Sequence, residues 1–360
     1  MIDSITPDSL AQEFLLALEK VPGVSVRISD EQLSSGPYRA DFLIEASIAG
    51  RNVLLVVEVK RTAYPRDVRE AVWQLRNFIL HLDIKADVVV PVLIAETISP
   101  GGRSQLQSEA VGFFDRSGSI YIPAPGAFLY VEKPARKQQA RKLRSLFVGR
   151  KAQTLHSVWL SGGDWFGVHE IAERAQVSPT TVSQTLIALE RSEWVEVRGA
   201  GPAKERRLSN PRALLDAWAA YQSSTKPKPL RHFYARALDT GELVRRLDRA
   251  CDAHNLAYEI TGLMGGQTHA PHLSNVTQVH CRLQAGPRQE VVLEAIDARP
   301  VREGWNLALV EQGSNDPFAF RERIGDAWFA DPLQTYLDLL QAGGRSKELA
   351  DHLRLEKLGV

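Results

Sequence analysis

Two periodicities alternate along the first 131 residues. Leu10, Phe14, Ala17 and Leu18 recur at helical spacing behind Thr6 and Pro7, a cap and a first-turn proline, and predict an opening helix. Ala40 to Ile48 and Asn52 to Lys60 are extended runs around a short Ala-Gly-Arg-Asn connection, the pattern of a hairpin. Val68, Ala71, Val72, Leu75, Phe78, Ile79 and Leu82 trace one stripe of a helix from about Arg66 to Leu82. The run from Asp87 to Ala95 is almost wholly apolar, as in a strand covered on both faces. Helix, hairpin, helix and buried strand is an α/β order.

The middle of the chain changes pattern. A helix through Glu170, Ile171, Ala172 and Ala175 meets a tight turn at Gln176-Val177-Ser178, and a second helix opens on Ser178 as cap with Pro179 at its first position. Val182, Leu186 and Leu189 face one way along it, while Thr180, Gln184 and Arg191 fall on the opposite side. Trp194 to Arg198 and Lys204 to Leu208 then read as short strands around Gly199-Ala200-Gly201-Pro202. In the last third, Thr240 to His254, Pro332 to Gln341 and Ser346 to Leu355 read as helices. Thr277 to Leu283, Val291 to Ala298 and Leu307 to Glu311 read as strands, giving an α+β domain.

Composition places the boundaries. EKPARKQQARKLRSLFVGRK, residues 132–151, holds eight Lys/Arg against one Glu and follows the Pro/Gly-rich IPAPGAF. QSSTKPKPLRH, residues 222–232, interrupts the next helical pattern. The expected organisation is therefore an α/β domain over 1–131, a basic linker over 132–151, a helix-rich domain over 152–222, a linker over 223–231 and the α+β domain over 232–360. No internal repeat is evident.

The formal net charge of +1 alone argues against a polyanionic partner. Divided along the chain, the balance of Lys/Arg against Asp/Glu is 12 to 16 over residues 1–131, 18 to 9 over 132–231 and 14 to 18 over 232–360. Local charge sets attraction to a polyanion, so the middle segment invites nucleic acid. The two cysteines, Cys251 and Cys281, build no disulfide framework and suit a reducing cytoplasm. The N-terminus lacks a basic region followed by an apolar core, and no uncharged stretch approaches the roughly 20 residues that span a bilayer. Secretion and membrane insertion are not expected.

Candidate chemistry sits at the end of the second extended run. Glu58 and Lys60 are two apart on a strand and share a face, while Val57 and Val59 point away. If the two runs pair across the hairpin, Asp41 lies near Glu58, bringing two carboxylates and an ammonium together. Two carboxylates hold a hard cation such as Mg²⁺ or Mn²⁺, and phosphodiester hydrolysis needs that charge and an activated water. An acidic-x-Lys triplet arises about once by chance in this composition, and Asp83-Ile84-Lys85 is a second instance at a helix end. The β context distinguishes the first.

Asp41, Glu58-Val59-Lys60 and a following helix with Gln74-Leu75 resemble the PD-(D/E)XK nuclease superfamily. That resemblance implies a restriction-endonuclease-like mixed sheet flanked by helices, with Asp41 and Glu58 as metal ligands, Lys60 as the catalytic lysine, Gln74 as an auxiliary residue and Glu13 as an acidic residue of the first helix. Arg39-Ala40-Asp41 lacks the proline that many members place before the aspartate. A double-strand cutter with one site per chain would act as a homodimer.

IAERAQVSPTTVSQTLIALERSEWVEVR resembles a winged helix-turn-helix of the MarR-like regulators. The resemblance implies DNA binding, with Thr180, Thr181 and Gln184 reading bases. Arg191 lies on the same face, and Arg198, Lys204, Arg206 and Arg207 on the wing would meet phosphates, as would Lys137, Arg141, Lys142 and Arg144 on the linker. GFFDRSGSIYI, TGLMGGQTHAPHL and DPLQTYLDLLQAGGRSKELADHL are similar to phrases of AbiEi-like antitoxins and regulators of type IV toxin-antitoxin systems. What that implies is operator binding, and a C-terminal module for a protein partner or effector. His269, His272, His280 and Cys281 do not make a zinc site, since adjacent His280 and Cys281 on a strand point to opposite faces. The leading expectation is a metal-dependent nuclease acting on DNA; the alternative is a non-catalytic transcriptional regulator with a nuclease-like fold.

Overall fold

The structure, a computed structural model, describes residues 7–35, 37–82, 88–133, 145–313 and 318–360. The decoy triplet Asp83-Ile84-Lys85 and the linker cations Lys137, Arg141, Lys142 and Arg144 lie outside the described residues. The chain forms two compact units, Met1–Ser145 with Gln184–Arg198, and Leu146–Ser183 with Gly199–Val360.

Unit 1 is built on a seven-stranded mixed sheet. Its elements run α1 (Pro7–Glu19), β1 (Val24–Ser35), β2 (Tyr38–Ile48), β3 (Arg51–Ala63), α2 (Pro65–Leu80), β4 (Val89–Ile98), α3 (Pro100–Ser108), β5 (Gly112–Asp115), β6 (Ile120–Ala124) and β7 (Ala127–Val131). Strand order follows chain order. β3, β4 and β5 run parallel, and the remaining neighbours antiparallel. The parallel pairs require crossovers, supplied by α2 and α3, whereas the antiparallel pairs close through hairpins. In the β2–β3 hairpin Ile48 pairs with Arg51, leaving Ala49 and Gly50 as a two-residue turn with φ of 50° and 76°. Positive φ at both positions matches the strand twist.

Alternation along each strand divides the apolar residues between two cores. Leu10, Phe14 and Leu18 of α1 pack with Phe42, Ile44, Leu55, Val57 and Val92. Val68, Ala71, Leu75 and Phe78 of α2 pack with Leu43, Leu54, Val56, Leu93 and Phe113 on the other face. The expected α/β order and the doubly covered fourth strand are thus present. β1 did not stand out in the sequence, and Pro125-Gly126 turns a β6–β7 hairpin in which Ala124 faces Ala127. α3 starts on Ser99, whose Oγ accepts Gly102 N–H at 3.1 Å. Gly102 is obligatory there, because an added Cβ would stand 2.8 Å from the Ala63 carbonyl oxygen.

Unit 2 carries a second mixed sheet. After α4 (Gly149–Leu160), the elements are α5 (Val168–Ala175), α6 (Pro179–Arg191), β8 (Val195–Arg198), β9 (Glu205–Leu208) and α7 (Pro211–Ser224). The division between units passes within α6, and β8 belongs to unit 1. Then come β10 (Arg231–Ala235), α8 (Thr240–Ala253), β11 (Tyr258–Thr261), α9 (Gly262–His269), β12 (Val279–Gln284), α10 (Pro287–Ala295), β13 (Ala298–Pro300), β14 (Leu307–Gln312), β15 (Glu322–Ile324), β16 (Ala327–Phe329), α11 (Pro332–Ala342) and α12 (Arg345–Leu353). The sheet order is β13-β10-β14-β12-β11-β16-β15.

One expectation for this region is corrected. Val291 to Ala298 is not a strand, since α10 covers Pro287–Ala295. Pro287 sits in its first turn, and Gln289, Val292, Leu293 and Ile296 are buried at the helical period. α9 covers Gly262–His269, just before the coil that carries Pro271 and His272; Gly266 lets it approach its neighbours, and a Cβ there would meet Leu349 Cδ2 at 2.6 Å. Of the four rejected zinc candidates, His269 Nε2 lies 2.7 Å from the Ala330 carbonyl oxygen and His272 stacks on His352. Cys281 is core, and His280 is only partly buried.

Candidate active site

The hairpin register sets the site. Phe42 pairs with Val57, so the next positions outward are Asp41 and Glu58. Leu43, Leu54 and Val56 face α2, and by the two-residue period Asp41, Glu58 and Lys60 continue that face. The ladder ends here: Asp41 Oδ2 accepts the Val59 N–H at 2.7 Å, replacing a backbone partner with a carboxylate. α2 begins on Pro65 with the Asp67 carboxylate accepting Tyr64 N–H at 3.1 Å. Two and a half turns later it brings Gln74 over the strand ends. Gln74 Nε2 donates to Glu58 Oε2 at 3.3 Å and to the Arg39 carbonyl oxygen at 3.0 Å. Lys60 Nζ lies 3.0 Å from Glu58 Oε1.

Electrostatics follow from burial. Glu58 is 6% exposed. Desolvation raises its pKa, Lys60 opposes the rise and Asp41 adds to it; the net shift is upward. Burial pulls the Lys60 ammonium down, but the hydrogen bond and charge of Glu58, with Glu70 and Asp41, outweigh it and the net shift is again upward. Lys60 therefore holds its proton and acts here as a fixed positive charge. Two carboxylates on one face, one of them favouring its proton beside the other, form a hard-oxygen donor pair short of positive charge. That fits Mg²⁺ or Mn²⁺. Among the described residues no three His, Cys, Asp or Glu side chains cluster as a complete ligand set.

The structure thus brings together Asp41, Glu58, Lys60 and Gln74. It does not bring Glu13 with them: its carboxylate is gripped by Arg116, with Nε at 3.0 and 3.2 Å and Nη2 at 2.6 Å. Among the described residues no hydrogen bond or ion pair joins Glu13 to that group. Sequence reasoning passed over Arg39, whose carbonyl anchors Gln74; a backbone acceptor leaves no mark on residue type.

Along α6, Thr180, Gln184 and Arg191 are exposed, and Thr181 is half-buried, its Oγ1 3.0 Å from Ser178 Oγ. Val182, Leu186 and Leu189 are buried as their spacing requires. Arg198 is exposed, and Lys204 is half-buried. Arg207 lies 4.9 Å over the Trp165 ring. Arg206 is a second correction. It is 5% exposed, its backbone pairs with Phe166 in both directions at 2.8 and 2.9 Å, and Nη1 donates to the Lys204 carbonyl oxygen at 3.2 Å. On β9 it shares the inward face with Leu208, so the residue type read as phosphate-binding is a packed one. No helix among the described residues is long and apolar enough to cross a membrane.

No family model matches the chain, and no curated protein matches it. Among solved structures, it is similar to a repair endonuclease from Pyrococcus abyssi, 15% identical with a TM-score of 0.24 over 32% of this chain and 49% of that one. An EndoMS–dsDNA2 complex is 22% identical with a TM-score of 0.22, over 31% and 44%. A protein of unknown function, AF1548, is 10% identical with a TM-score of 0.25, over 52% and 97%. The chain spans about half the length of the first two of these proteins.

Proposed function

We propose that the chain is a DNA-binding nuclease that hydrolyses phosphodiester bonds with a divalent cation, Mg²⁺ or Mn²⁺, held by Asp41 and Glu58. The observation that carries this reading is the convergence of Asp41, Glu58, Lys60 and Gln74 on one face where β2 leaves β3. A bound cation supplies charge neutralisation and water activation. The protein's own groups do the rest. Gln74 holds Glu58 through one oxygen, and Asp41 is fixed by the Val59 N–H, so both carboxylates are oriented before substrate arrives. Lys60, protonated at Nζ, places a positive charge beside the position a scissile phosphate takes, where negative charge grows in the transition state. The exposed polar face of α6 with Arg198, Lys204 and Arg207 would hold DNA, phosphates giving affinity and Thr180, Thr181 and Gln184 any base preference.

The exposed Thr180, Gln184 and Arg191 favour a second reading, a non-catalytic regulator or antitoxin, because that face needs no chemistry. One assay separates the two. Purified chain with supercoiled plasmid is expected to nick it in Mg²⁺ or Mn²⁺ and to stop with chelator. Lys60→Ala is expected to slow cleavage by about 10²–10⁴-fold while leaving the gel-shift affinity unchanged. A footprint without metal-dependent nicking supports the regulator.

A further inference from the structure

Unit 2 contains a cavity of about 580 Å³, within the roughly 300–1,000 Å³ of ordinary small-molecule sites. It shares no residue with the Asp41–Glu58–Lys60 group. One wall is aromatic. Phe147 stacks on Tyr221 with centroids 5.4 Å apart and lies 5.8 Å from Trp218, and His156 stacks on Phe320 at 4.2 Å. These rings give that side of the cavity a flat, largely apolar wall.

The polar lining is charged and buried. Asp331 is matched by His156 Nε2 at 2.9 Å and caps α11 through Gln334 N–H at 3.1 Å. Asp338 is saturated, accepting Arg282 Nη2, Thr261 Oγ1 at 2.5 Å and Gln334 Nε2 at 3.0 Å. Glu259 is not. Its Oε1 lies 3.3 Å from Arg282 Nη1, and its other oxygen has no hydrogen bond among the described residues. Burial pushes this carboxyl up to about 7, with Asp338 and Asp331 adding to the effect and Arg282 and His156 opposing it. A second lining residue, His280, has a buried Nδ1 with no hydrogen-bond partner. The unbonded Glu259 oxygen on the cavity lining is therefore the seat for a ligand donor. Exposed Lys226 and Lys228 also line the cavity, and Lys228 Nζ is held by Gln312 Oε1 at 2.8 Å.

A carboxylate only accepts, so the ligand must donate; the aromatic wall asks for a flat ring, and the two lysines for an anionic tail. We propose that this cavity binds a guanine nucleotide, its base on the aromatic wall, its paired N–H donors on Glu259 and its phosphate toward Lys226 and Lys228. Guanine presents two adjacent donors, N1–H and the 2-amino group, one for the unbonded Glu259 oxygen and one for the oxygen shared with Arg282; adenine presents only its amino group on the corresponding edge.

The test is calorimetric titration of the full chain in chelator at pH about 8, where Glu259 is ionised, with GMP, GTP, AMP, ATP and guanosine. GMP and GTP are expected to bind at least about tenfold tighter than their adenine counterparts and than guanosine. Glu259→Gln is expected to erase the guanine preference. Lys226→Ala with Lys228→Ala, two exposed positions that leave the fold intact, is expected to bring GMP down to guanosine and spare the base preference. No heat and no thermal shift with either guanine nucleotide at about 1 mM overturns the proposal, as does equal affinity for the adenine series.

Discussion

Glu259 shows how one residue carries opposed demands. It sits 6% exposed beside Arg282, yet Arg282 is shared with Asp338, and desolvation wins. A folded carboxyl raised from 4.5 to about 7 binds its proton more tightly than the unfolded chain does. Its stabilising contribution is complete below the unfolded value and is lost as pH rises through about 7. The thermal midpoint should therefore fall between pH about 5 and about 7.5, and Glu259→Gln should flatten that fall. An equal slope in the variant assigns the dependence to other groups. Residue identity alone revealed the Asp41, Glu58 and Lys60 group, because a strand's alternation projects them together. It misled at Arg206: a cation on a short strand looks the same in sequence whether it faces solvent or the interior.

At the scale of elements, the legible ones were those whose burial matched their intrinsic preference. α2 has an unbroken stripe, and β4 is apolar on both faces. The illegible ones set preference against packing. Val291 and Val292 favour a strand, but the burial of Gln289, Val292, Leu293 and Ile296 holds them in α10. Gly265 and Gly266 disfavour a helix, but at Gly266 a larger residue would press on the Leu349 side chain. β1 alternates through Val24, Val26 and Ile28, too brief a signal beside its polar tail. α10 yields a test whose sign depends on the element. Val291 is 44% exposed, so Val291→Ala should stabilise a helix by about 0.5 kcal/mol, raising the urea midpoint. On a strand the same change would lower it.

Over the whole molecule, the charge division survives with one subtraction. Removing the buried Arg206 leaves Arg198, Lys204 and Arg207, with Lys137, Arg141, Lys142 and Arg144, as seven candidate phosphate contacts. Counterion release then predicts a slope of log affinity against log salt near roughly −6 for duplex DNA. A slope near zero in gel shifts at several salt concentrations would remove DNA from the reading. The linker charge was visible in composition because it is local. The cavity of unit 2 was not, because its lining is gathered from α4, α7, β11, β12 and α11, whose spacing in sequence carries no common period.

The Val59 amide, bonded at 2.7 Å to the Asp41 carboxylate, is a built-in spectroscopic probe. Its nuclear magnetic resonance follows whatever Asp41 exchanges, proton for cation or one cation for another, without any added label. Asp41→Asn keeps an oxygen for that amide, whereas Asp41→Ala leaves it without its acceptor. The asparagine variant is thus the one that separates loss of chemistry from loss of structure.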